Sequence, residues 1–232
     1  MKKFIALFAL SLAACSNYND RFVDVVNDSQ RKTVMIEVQT VMKQTMLSFD
    51  GEKFSVHTET VPVTFVGAGV FISHNGHVLT CAHLFNVGLS TTITVIKYGD
   101  SRVPAEVLYK DTGKDLALLK IPVSWFTPKA SLSRGRLQVG QEIITIGNPA
   151  GLNFSSSHGM ISHLNRNIYE RYTYTQSDLP TNGGNSGGPV FNLNGELIGL
   201  SAMKLSDADG MSFAITPDTI RIFLSTFRGL DE

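Results

Sequence analysis

Apolar and polar positions alternate in short runs along most of the chain. Val34–Val41 alternates around Glu37 and Gln39, and Phe54–Val61 shows the same period of two. Such runs predict half-buried β-strands, because every second residue of a strand shares one face. Further runs predict strands at Val63–Ile72, His77–Cys81, Thr91–Tyr98, Ala105–Lys110, Leu116–Ile121, Glu142–Gly147, Phe154–Leu164, Tyr169–Gln176, Pro189–Phe191, Leu197–Ala202 and Met211–Ile215.

Turn signals separate these strands and divide the chain into two halves. Asn75-Gly76 and Asn194-Gly195 are typical of two-residue hairpin turns. The stretch Pro122–Ser133 predicts a linker between the halves. One helix is predicted, over residues 217–228, with Thr216 as its N-cap and a proline at its first position. The pattern therefore predicts an all-β chain of barrels or sandwiches with a terminal helix.

The start of the chain is typical of a secretion signal. Lys2 and Lys3 precede the 11-residue apolar run Phe4–Ala14, which is too short to cross a bilayer as a helix. The quartet Leu12–Cys15 resembles the lipobox of bacterial lipoproteins, a resemblance that implies cleavage after residue 14 and a lipid on Cys15. The alternative is an ordinary signal peptide that is cut nearby.

Polar residues follow this signal. Residues 15–30 are expected to form a tether, with one short helical turn around Phe22–Val26. Besides Cys15 the chain has only Cys81, in an apolar stretch, which indicates a buried thiol and no disulfide.

Charge and composition narrow the function classes. The 232 residues contain 20 Lys+Arg and 20 Asp+Glu, and 43% of them are hydrophobic. This apolar fraction supports a buried core and argues against a disordered chain. The balanced charge, without any basic run, argues against a nucleic-acid partner.

The stretch Gly183–Pro189 is the most informative motif, because its letters GGNSGGP place four glycines around Ser186. Glycine permits unusual φ values and lets a substrate backbone approach closely. Several N–H groups of such a loop can point at one spot, as an oxyanion hole requires. The alternative is a plain glycine-rich turn. The string also satisfies G-x-S-x-G, the nucleophile elbow of α/β-hydrolases, whose triad runs Ser, acid, His.

The candidate partners of this serine precede it. The last histidine is His163, so the α/β-hydrolase order fails and a triad must run His, Asp, Ser. His83 follows a predicted strand and is well placed as a general base. Asp115 opens a buried strand, where a carboxylate is costly unless it is paired. Asp111 is the competing acid, but its polar loop favours a solvated turn residue.

At these positions the chain resembles the chymotrypsin-fold serine proteases of the HtrA/Deg type, over about residues 33–227. Leu84 replaces the valine that usually follows the histidine of that family. Four blocks occur in the order of the family, namely Val66–Val70 with Leu79–His83, Asp115–Ile121, Gly140–Gly151 and Gln176–Gly199.

The resemblance implies a fold and a set of roles. The fold would be two six-stranded antiparallel β-barrels within residues 31–228, the first over about 31–122 and the second over about 134–215. Ser186 would be the nucleophile, His83 the base and then the acid, and Asp115 the residue that orients the imidazole. The N–H groups of Gly184 and Ser186 would form the oxyanion hole. No PDZ domain is expected after the final helix, and neither is PDZ-dependent capture or activation.

Substrate preference is expected to follow from the residues beside the nucleophile loop. Thr181 before the serine and Ser201 on the later strand, together with Ala202 and Met203, would line the pocket. Pro180 stands where trypsin-like enzymes carry aspartate. Glutamyl endopeptidases share the threonine but need a histidine at the position of Ser201, so small or medium apolar residues are the expected preference. A glutamyl preference is the alternative.

The expected function is that of a serine endopeptidase acting on proteins in the bacterial cell envelope. The alternative is a catalytically silent, protease-like module that binds peptides or partners. No cofactor and no metal is expected. His74, His77 and His83 could suggest a metal site, but Asn75-Gly76 is a hairpin signal and His83 has a better role as the base. The expected partners are protein substrates and a membrane. The lipid on Cys15 would anchor the chain, in the outer membrane if the cell has one. Relatives are often trimers, which leaves a homo-oligomer open.

Overall fold

The computed structural model describes residues 18–86, 91–123, 126–169, 172–204, 210–227 and 230. The predicted signal peptide, Cys15 and the start of the predicted tether lie outside these residues. None of the helices in the described ranges is long and apolar enough to cross a membrane.

Twelve strands build the described part of the chain, as the alternating pattern predicts. Two α-helices accompany them in the described ranges, α1 over residues 18–32 and α2 over Pro217–Ser225, together with short 3-10 helices at Ala82–Phe85 and Pro149–Gly151. The strands are β1 (Thr33–Phe49), β2 (Phe54–Phe71), β3 (His77–Cys81), β4 (Thr91–Lys97), β5 (Arg102–Asp111), β6 (Leu116–Lys120), β7 (Glu142–Gly147), β8 (Ser155–Tyr169), β9 (Tyr172–Ser177), β10 (Pro189–Asn192), β11 (Leu197–Lys204) and β12 (Ser212–Ile215).

The strands close into two antiparallel barrels. The first barrel has the order β1-β2-β3-β6-β5-β4, and the second has the order β10-β11-β12-β9-β8-β7. Closure removes the exposed edges that an open sheet of these strands would have. The predicted fold class, two six-stranded barrels with a terminal helix, is confirmed.

The hairpin of β1 and β2 is longer than predicted. The two strands pair without interruption from Thr33 with Val70 to Phe49 with Phe54, although Phe54–Val61 and Val63–Ile72 were expected to be separate strands. Pro62 lies opposite Val41, beyond the short β2–β3 pairing, so its missing N–H costs no ladder bond.

The segment expected to be a tether is a docked helix. Helix α1 turns Phe22, Val25, Val26 and Ser29 to one face, and the three apolar side chains pack against the main core. This i, i+3, i+4, i+7 spacing is that of an amphipathic helix. The Gln30 side chain also donates to the Phe154 carbonyl oxygen at 3.0 Å. The described part of the predicted tether is therefore part of the folded domain.

Four apolar clusters in the described ranges set the positions of the two barrels. One lies inside each barrel, around Val38 and Leu119 in the first and around Ile161 and Leu179 in the second. The other two join residues of both barrels. The larger of these two joins Cys81 of the first barrel to buried side chains of the second barrel and of α2. Because this cluster is continuous, the corner after β3 is held at a fixed distance from the loop before β10.

Helix α2 packs on the larger cluster between the barrels. The Thr216 hydroxyl accepts the Thr219 N–H at 3.3 Å, so Thr216 is the N-cap that the sequence predicts. Ile220 and Phe223 are buried in the cluster between the barrels. Helix α2 therefore shares the buried cluster that joins the two barrels.

Candidate active site

The His83 ring and the Asp115 carboxylate meet at one corner of the first barrel. β3 pairs with β6 so that Cys81 lies opposite Leu116, and the chain leaves both strands at that end. Asp115 Oδ1 accepts the His83 main-chain N–H at 2.8 Å, and its Oδ2 lies 2.8 Å from His83 Nδ1. The Ala82 N–H donates to the Asp115 carbonyl oxygen at 3.1 Å. These bonds lock the imidazole to the carboxylate.

Asp115 reaches this position through an uncommon backbone conformation. Its φ is 55°, in the left-handed region that few residues other than glycine adopt. Aspartate and asparagine tolerate this region better than most residues. The local strain turns the side chain back toward His83 as β6 begins. The side chains of the pair are 41% exposed for His83 and 22% for Asp115, so the ring remains open to solvent and to a ligand.

The loop that carries Ser186 packs against the same corner. The Ala68 N–H donates to the Ser186 carbonyl oxygen at 2.9 Å, which ties the loop to β2. A methyl group on Gly187 would lie 2.1 Å from Thr80 Oγ1 and 3.0 Å from the Cys81 nitrogen. Glycine at position 187 is therefore what lets the serine loop approach the end of β3, two residues before His83.

The Ser186 loop reaches the corner that carries His83 through Gly187, but the two side chains share no hydrogen bond. Within the described ranges, no hydrogen bond of 3.5 Å or less joins the Ser186 hydroxyl to the His83 ring. Hydrogen bonds between catalytic groups are often long before a substrate binds. The structure thus joins Asp115 to His83 directly, and brings the Ser186 loop to the same cleft between the barrels.

Two peptide units of the loop have their carbonyl groups anchored. The Ala150 N–H donates to the Gly183 carbonyl oxygen, and the Gly188 N–H donates to the Asn185 carbonyl oxygen, at 3.3 and 2.9 Å. The C=O and N–H of a trans peptide point in opposite directions. The N–H groups of Gly184 and Ser186 are therefore turned away from these anchors. In the part of the chain that the structure describes, neither N–H has an acceptor.

Residues 182–185 form the turn that orients these groups. The Asn185 N–H donates to the Asn182 carbonyl oxygen at 3.1 Å, and Gly184 at the third position has a φ of 99°. A positive φ at this position is the mark of a type II turn, which favours glycine. The Asn185 side chain donates to the Pro180 carbonyl oxygen at 3.2 Å and fixes the start of the loop.

The histidines weighed as a metal site have separate partners. His77 Nδ1 lies 2.7 Å from Ser73 Oγ, and His74 Nδ1 lies 2.7 Å from the Thr127 carbonyl oxygen. His83 is instead grouped with Cys81 and Asp115, whose ligand-type atoms all lie within 4.8 Å of one another. The three histidines therefore do not form one site.

The residues expected to line the substrate pocket lie on both sides of the loop. The Gly187 N–H donates to the Ser201 carbonyl oxygen at 2.7 Å, and the Ser201 N–H donates to the Gly188 carbonyl oxygen at 2.8 Å. Ser201 and Ala202 are buried, whereas Thr181 and Met203 are half-buried. This pairing sets β11 directly beside the serine loop.

Asp178, the nearest acid before the serine, is occupied elsewhere. Its Oδ1 accepts the Met160 N–H at 2.7 Å. A methyl group on Gly159 would lie 2.3 Å from the same oxygen, so the carboxylate is pressed against β8.

Sequence reasoning missed the supporting role of the segment Asn148–Ala150. Its N–H groups hold the carbonyl groups of Gly184 and Gly183, both at 3.3 Å. Ala150 adopts a φ of 52° to do so. Backbone-to-backbone support requires no particular side chain. The one sequence signal that could have indicated this role was therefore the family block Gly140–Gly151, which contains these residues.

A comparison with known families shows which family the chain belongs to. Residues 67–200, more than half of the chain, match the trypsin-like peptidase domain. The chain belongs to the trypsin-like peptidase family. The matched range includes His83, Asp115 and Ser186, so the family assignment covers both barrels' contributions to the cleft.

Curated relatives of the trypsin-like peptidase carry HtrA and Deg names. A Halomonas elongata protein named "Probable periplasmic serine endoprotease DegP-like" is 36% identical over 66% of this chain. The mitochondrial serine protease HTRA2 of Drosophila ananassae and the human serine protease HTRA4 are each 34% identical, over 68% and 72% of the chain. The chain spans 33%, 38% and 36% of these relatives in turn. The predicted HtrA-type protease domain is confirmed.

Proposed function

We propose that this protein is a serine endopeptidase that cleaves proteins through an acyl-enzyme. The observation that carries the proposal is the pair of hydrogen bonds between His83 and the Asp115 carboxylate, beside the anchored Ser186 loop. A carboxylate that binds one imidazole nitrogen leaves the other free to act as a base. This arrangement supports an active enzyme over a silent peptide-binding module, which would need no oriented imidazole.

In the proposed first step, the Ser186 hydroxyl oxygen attacks the carbonyl carbon of the scissile bond. His83 takes the hydroxyl proton at Nε2, while Asp115 holds Nδ1 and stabilises the imidazolium. The carbonyl oxygen becomes an oxyanion and accepts hydrogen bonds from the N–H groups of Gly184 and Ser186. The tetrahedral intermediate then expels the amine, which takes the proton from His83.

The second step returns the enzyme to its starting state. His83 removes a proton from a water molecule, and the water oxygen attacks the acyl carbon on Ser186. The same two N–H groups stabilise the second oxyanion. Collapse releases the carboxylic acid, and the proton on His83 returns to Ser186. The protein's own groups suffice for these steps, and the expected absence of a cofactor stays a prediction.

The test is covalent labelling by a fluorophosphonate, which reacts with an activated serine. Wild type is expected to be labelled and to hydrolyse casein, whereas Ser186→Ala should do neither and keep its fold by circular dichroism. Ser155→Ala is the matched control, because Ser155 Oγ donates to the Leu152 carbonyl oxygen and has no part in the proposed triad. An unlabelled wild-type chain, or casein turnover by Ser186→Ala, would overturn the proposal.

The proposed location is the bacterial cell envelope, with the chain anchored by a lipid on Cys15. The lipobox-like quartet before Cys15 supports the anchor, and the periplasmic name of the Halomonas relative supports export. The residue after the cysteine is Ser16. An aspartate at this position usually retains lipoproteins in the inner membrane, so the serine favours the outer membrane. A homo-oligomer stays open, and protein substrates are the proposed partners.

A further inference from the structure

A cavity of about 530 Å³ lies between α2 and the strands β8 and β9 of the second barrel. Arg134 and Arg136 line it from the segment before β7, and Arg221 lines it from the second turn of α2. None of the described residues that line it belongs to the proposed triad or to the serine loop. A volume of this size is typical of sites that hold a small organic molecule.

Positive charge is in excess in this cavity. In the described part of the chain, the guanidinium groups of Arg134 and Arg136 have no hydrogen-bond or ion-pair partner. Arg221 pairs with Asp218 through Nη1, and its Nη2 donates to the Ser133 carbonyl oxygen at 3.0 Å. Asp218 is the one acid among the described lining residues, so three positive charges face one negative charge. A cavity with such an excess favours an anion.

A buried hydroxyl group without a partner lies in the wall of the cavity. Thr175, on β9, is only 4% exposed and lines the cavity. Its side chain has no hydrogen bond to any described residue. Burying a hydroxyl without a partner is unfavourable. An acceptor bound in the cavity would supply the partner that Thr175 lacks.

A bulge in β8 places an amide group at the same cavity. His163 pairs with Gln176 and Arg166 with Tyr174, so β8 has one residue more than β9 across this step. Asn165 lies within the bulge, has a φ of 55° and lines the cavity. Bulges commonly redirect a side chain toward a functional site. The Asn165 amide has no hydrogen bond to a described residue, so its two N–H donors are available to a ligand.

The main chain of α2 adds little to this set of donors. Pro217, its first residue, has no N–H. The Thr219 N–H donates to Thr216 Oγ1 at 3.3 Å, and the Ile220 N–H donates to the Thr216 carbonyl oxygen at 3.1 Å. The donors that remain for a ligand are therefore mainly side-chain groups.

We propose that this cavity binds a small organic molecule through a phosphomonoester group. Such a group carries a charge of about −1.5 to −2 at pH 7, which matches the excess of two positive charges. Its oxygens accept several hydrogen bonds at once, and guanidinium groups bind it in a bidentate manner. Leu137 and Leu164 form an apolar part of the wall, which would contact the organic part of the molecule.

The experiment measures the binding of phenyl phosphate to the full chain by isothermal titration calorimetry. The salt concentration is about 0.15 M, where long-range attraction is largely screened. Arg134→Gln and Arg136→Gln are each expected to raise the Kd by about 10-fold or more, the effect of losing a hydrogen bond between charged groups.

Arg31→Gln is the matched control for these two variants. Arg31 is exposed on α1 and likewise has no partner among the described residues, but it does not line the cavity. This variant should keep the wild-type Kd. Equal weakening in Arg31→Gln, Arg134→Gln and Arg136→Gln would show that general charge alone attracts the probe, and would overturn the proposal.

Thr175→Val tests the buried hydroxyl separately from folding. Valine has nearly the same shape, and the hydroxyl that it removes has no described partner, so thermal stability without the probe should be equal or higher. The Kd for phenyl phosphate should rise by about 3- to 10-fold. A variant that is less stable but binds like wild type would show that the hydroxyl has a structural role only, and would overturn the proposed site.

Other probes test the class of ligand. Inorganic phosphate lacks an apolar part and phenylacetate carries a single charge, so both are expected to bind more weakly than phenyl phosphate. Tighter binding of phenylacetate, or no binding of phenyl phosphate, would overturn the proposal. These measurements require no catalysis, so their failure would leave the proposed function untouched.

Phosphatidylcholine vesicles with and without phosphatidic acid distinguish the source of the group, because phosphatidic acid is a lipid phosphomonoester. Competition with phenyl phosphate that requires phosphatidic acid would support a membrane lipid as the ligand. Binding of phenyl phosphate without such competition would support a free molecule. Competition by vesicles of phosphatidylcholine alone would show that the phosphomonoester is not what the cavity recognises, and would overturn the proposal.

Discussion

Gly184 faces the carbonyl oxygen of Asn148 so closely that a methyl group on its α-carbon would lie 1.9 Å from that oxygen. The contact is between two stretches of backbone, so neither can move aside as a flexible side chain would. The Asn148 N–H also donates to the Gly184 carbonyl oxygen at 3.3 Å. The proposed oxyanion hole is thus supported from behind by main chain alone.

Gly184→Ala is therefore expected to abolish or strongly reduce activity. The new methyl group would force the turn to move, and φ near 99° is itself unfavourable for alanine. Displacing one oxyanion donor lowers the rate by about 100- to 1,000-fold in enzymes of this kind. The measurement is kcat on casein or a peptide substrate, with circular dichroism to verify the fold.

Gly183→Ala is the matched control for this prediction. A methyl group on Gly183 meets no atom within 4 Å. This variant should keep most of its activity. Equal losses in Gly183→Ala and Gly184→Ala would contradict the role assigned to the Asn148 contact.

The free energy of unfolding is expected to decrease as pH is lowered, because of His77. This ring is buried, and burial together with the Lys120 charge lowers the pKa of His77 from its ordinary value of 6.5. The unfolded chain therefore takes up the proton more readily than the folded chain. The folded state is therefore at its full stability when pH is above the pKa of His77 in the unfolded chain. Stability is lost as pH falls from that pKa toward the lower pKa of the folded state.

The measurement for His77 is the thermal midpoint between pH 8 and pH 5. His77→Gln should show a weaker fall in the midpoint than wild type, because glutamine does not titrate. His57→Gln is the control, since His57 is exposed on the long hairpin, and it should keep the wild-type dependence. The same pH dependence in all three proteins would count against the prediction.

Helix α1 is expected to contribute to stability through Phe22. This side chain packs on the main core and meets the His158 ring edge-on at 5.2 Å between centroids. Phe22→Ala should lower the free energy of unfolding by about 2 kcal/mol, somewhat less than a fully buried phenylalanine. Val23→Ala is the control, because Val23 is 55% exposed. If both variants unfold like wild type in urea, α1 is not docked in solution.

Cleavage is expected after small or medium apolar residues such as Ala, Val, Leu or Met. Pro180 offers no charge to a basic substrate side chain, and the Asp178 carboxylate is held by the Met160 N–H. Ser201 supplies no cation for a buried glutamate, which would be costly to bury unpaired. A peptide library read by mass spectrometry tests this pocket, and dominant cleavage after Glu, Lys or Arg would contradict it.

Cys15→Ala is expected to release the protein from the membrane fraction. The thiol is the proposed site of lipid attachment, and several acyl chains anchor a protein stably where one does not. Incorporation of labelled palmitate by wild type, and its loss in Cys15→Ala, is the measurement. Cys81→Ala is a control for labelling, because a buried thiol is inaccessible to acylation. Wild type without palmitate would rule out the anchor.

The sequence by itself determined the parts of this protein that depend on local chemistry. Strands follow from alternation, and the cap of α2 follows from Thr216 and the proline after it. Short local patterns also indicated the candidate site residues: a glycine-rich loop for Ser186, a strand end for His83 and an acid at the start of a buried strand for Asp115.

Only the tertiary structure decided the contacts that join distant segments. The polar, Asn- and Asp-rich sequence of this segment predicts a tether, whereas helix α1 buries its apolar face against the core of the folded domain. The support of Gly184 by Asn148 depends on barrel closure and strand register. Main-chain groups make this contact, and main-chain groups are the same in every residue type, so apart from the glycines no side chain indicates it.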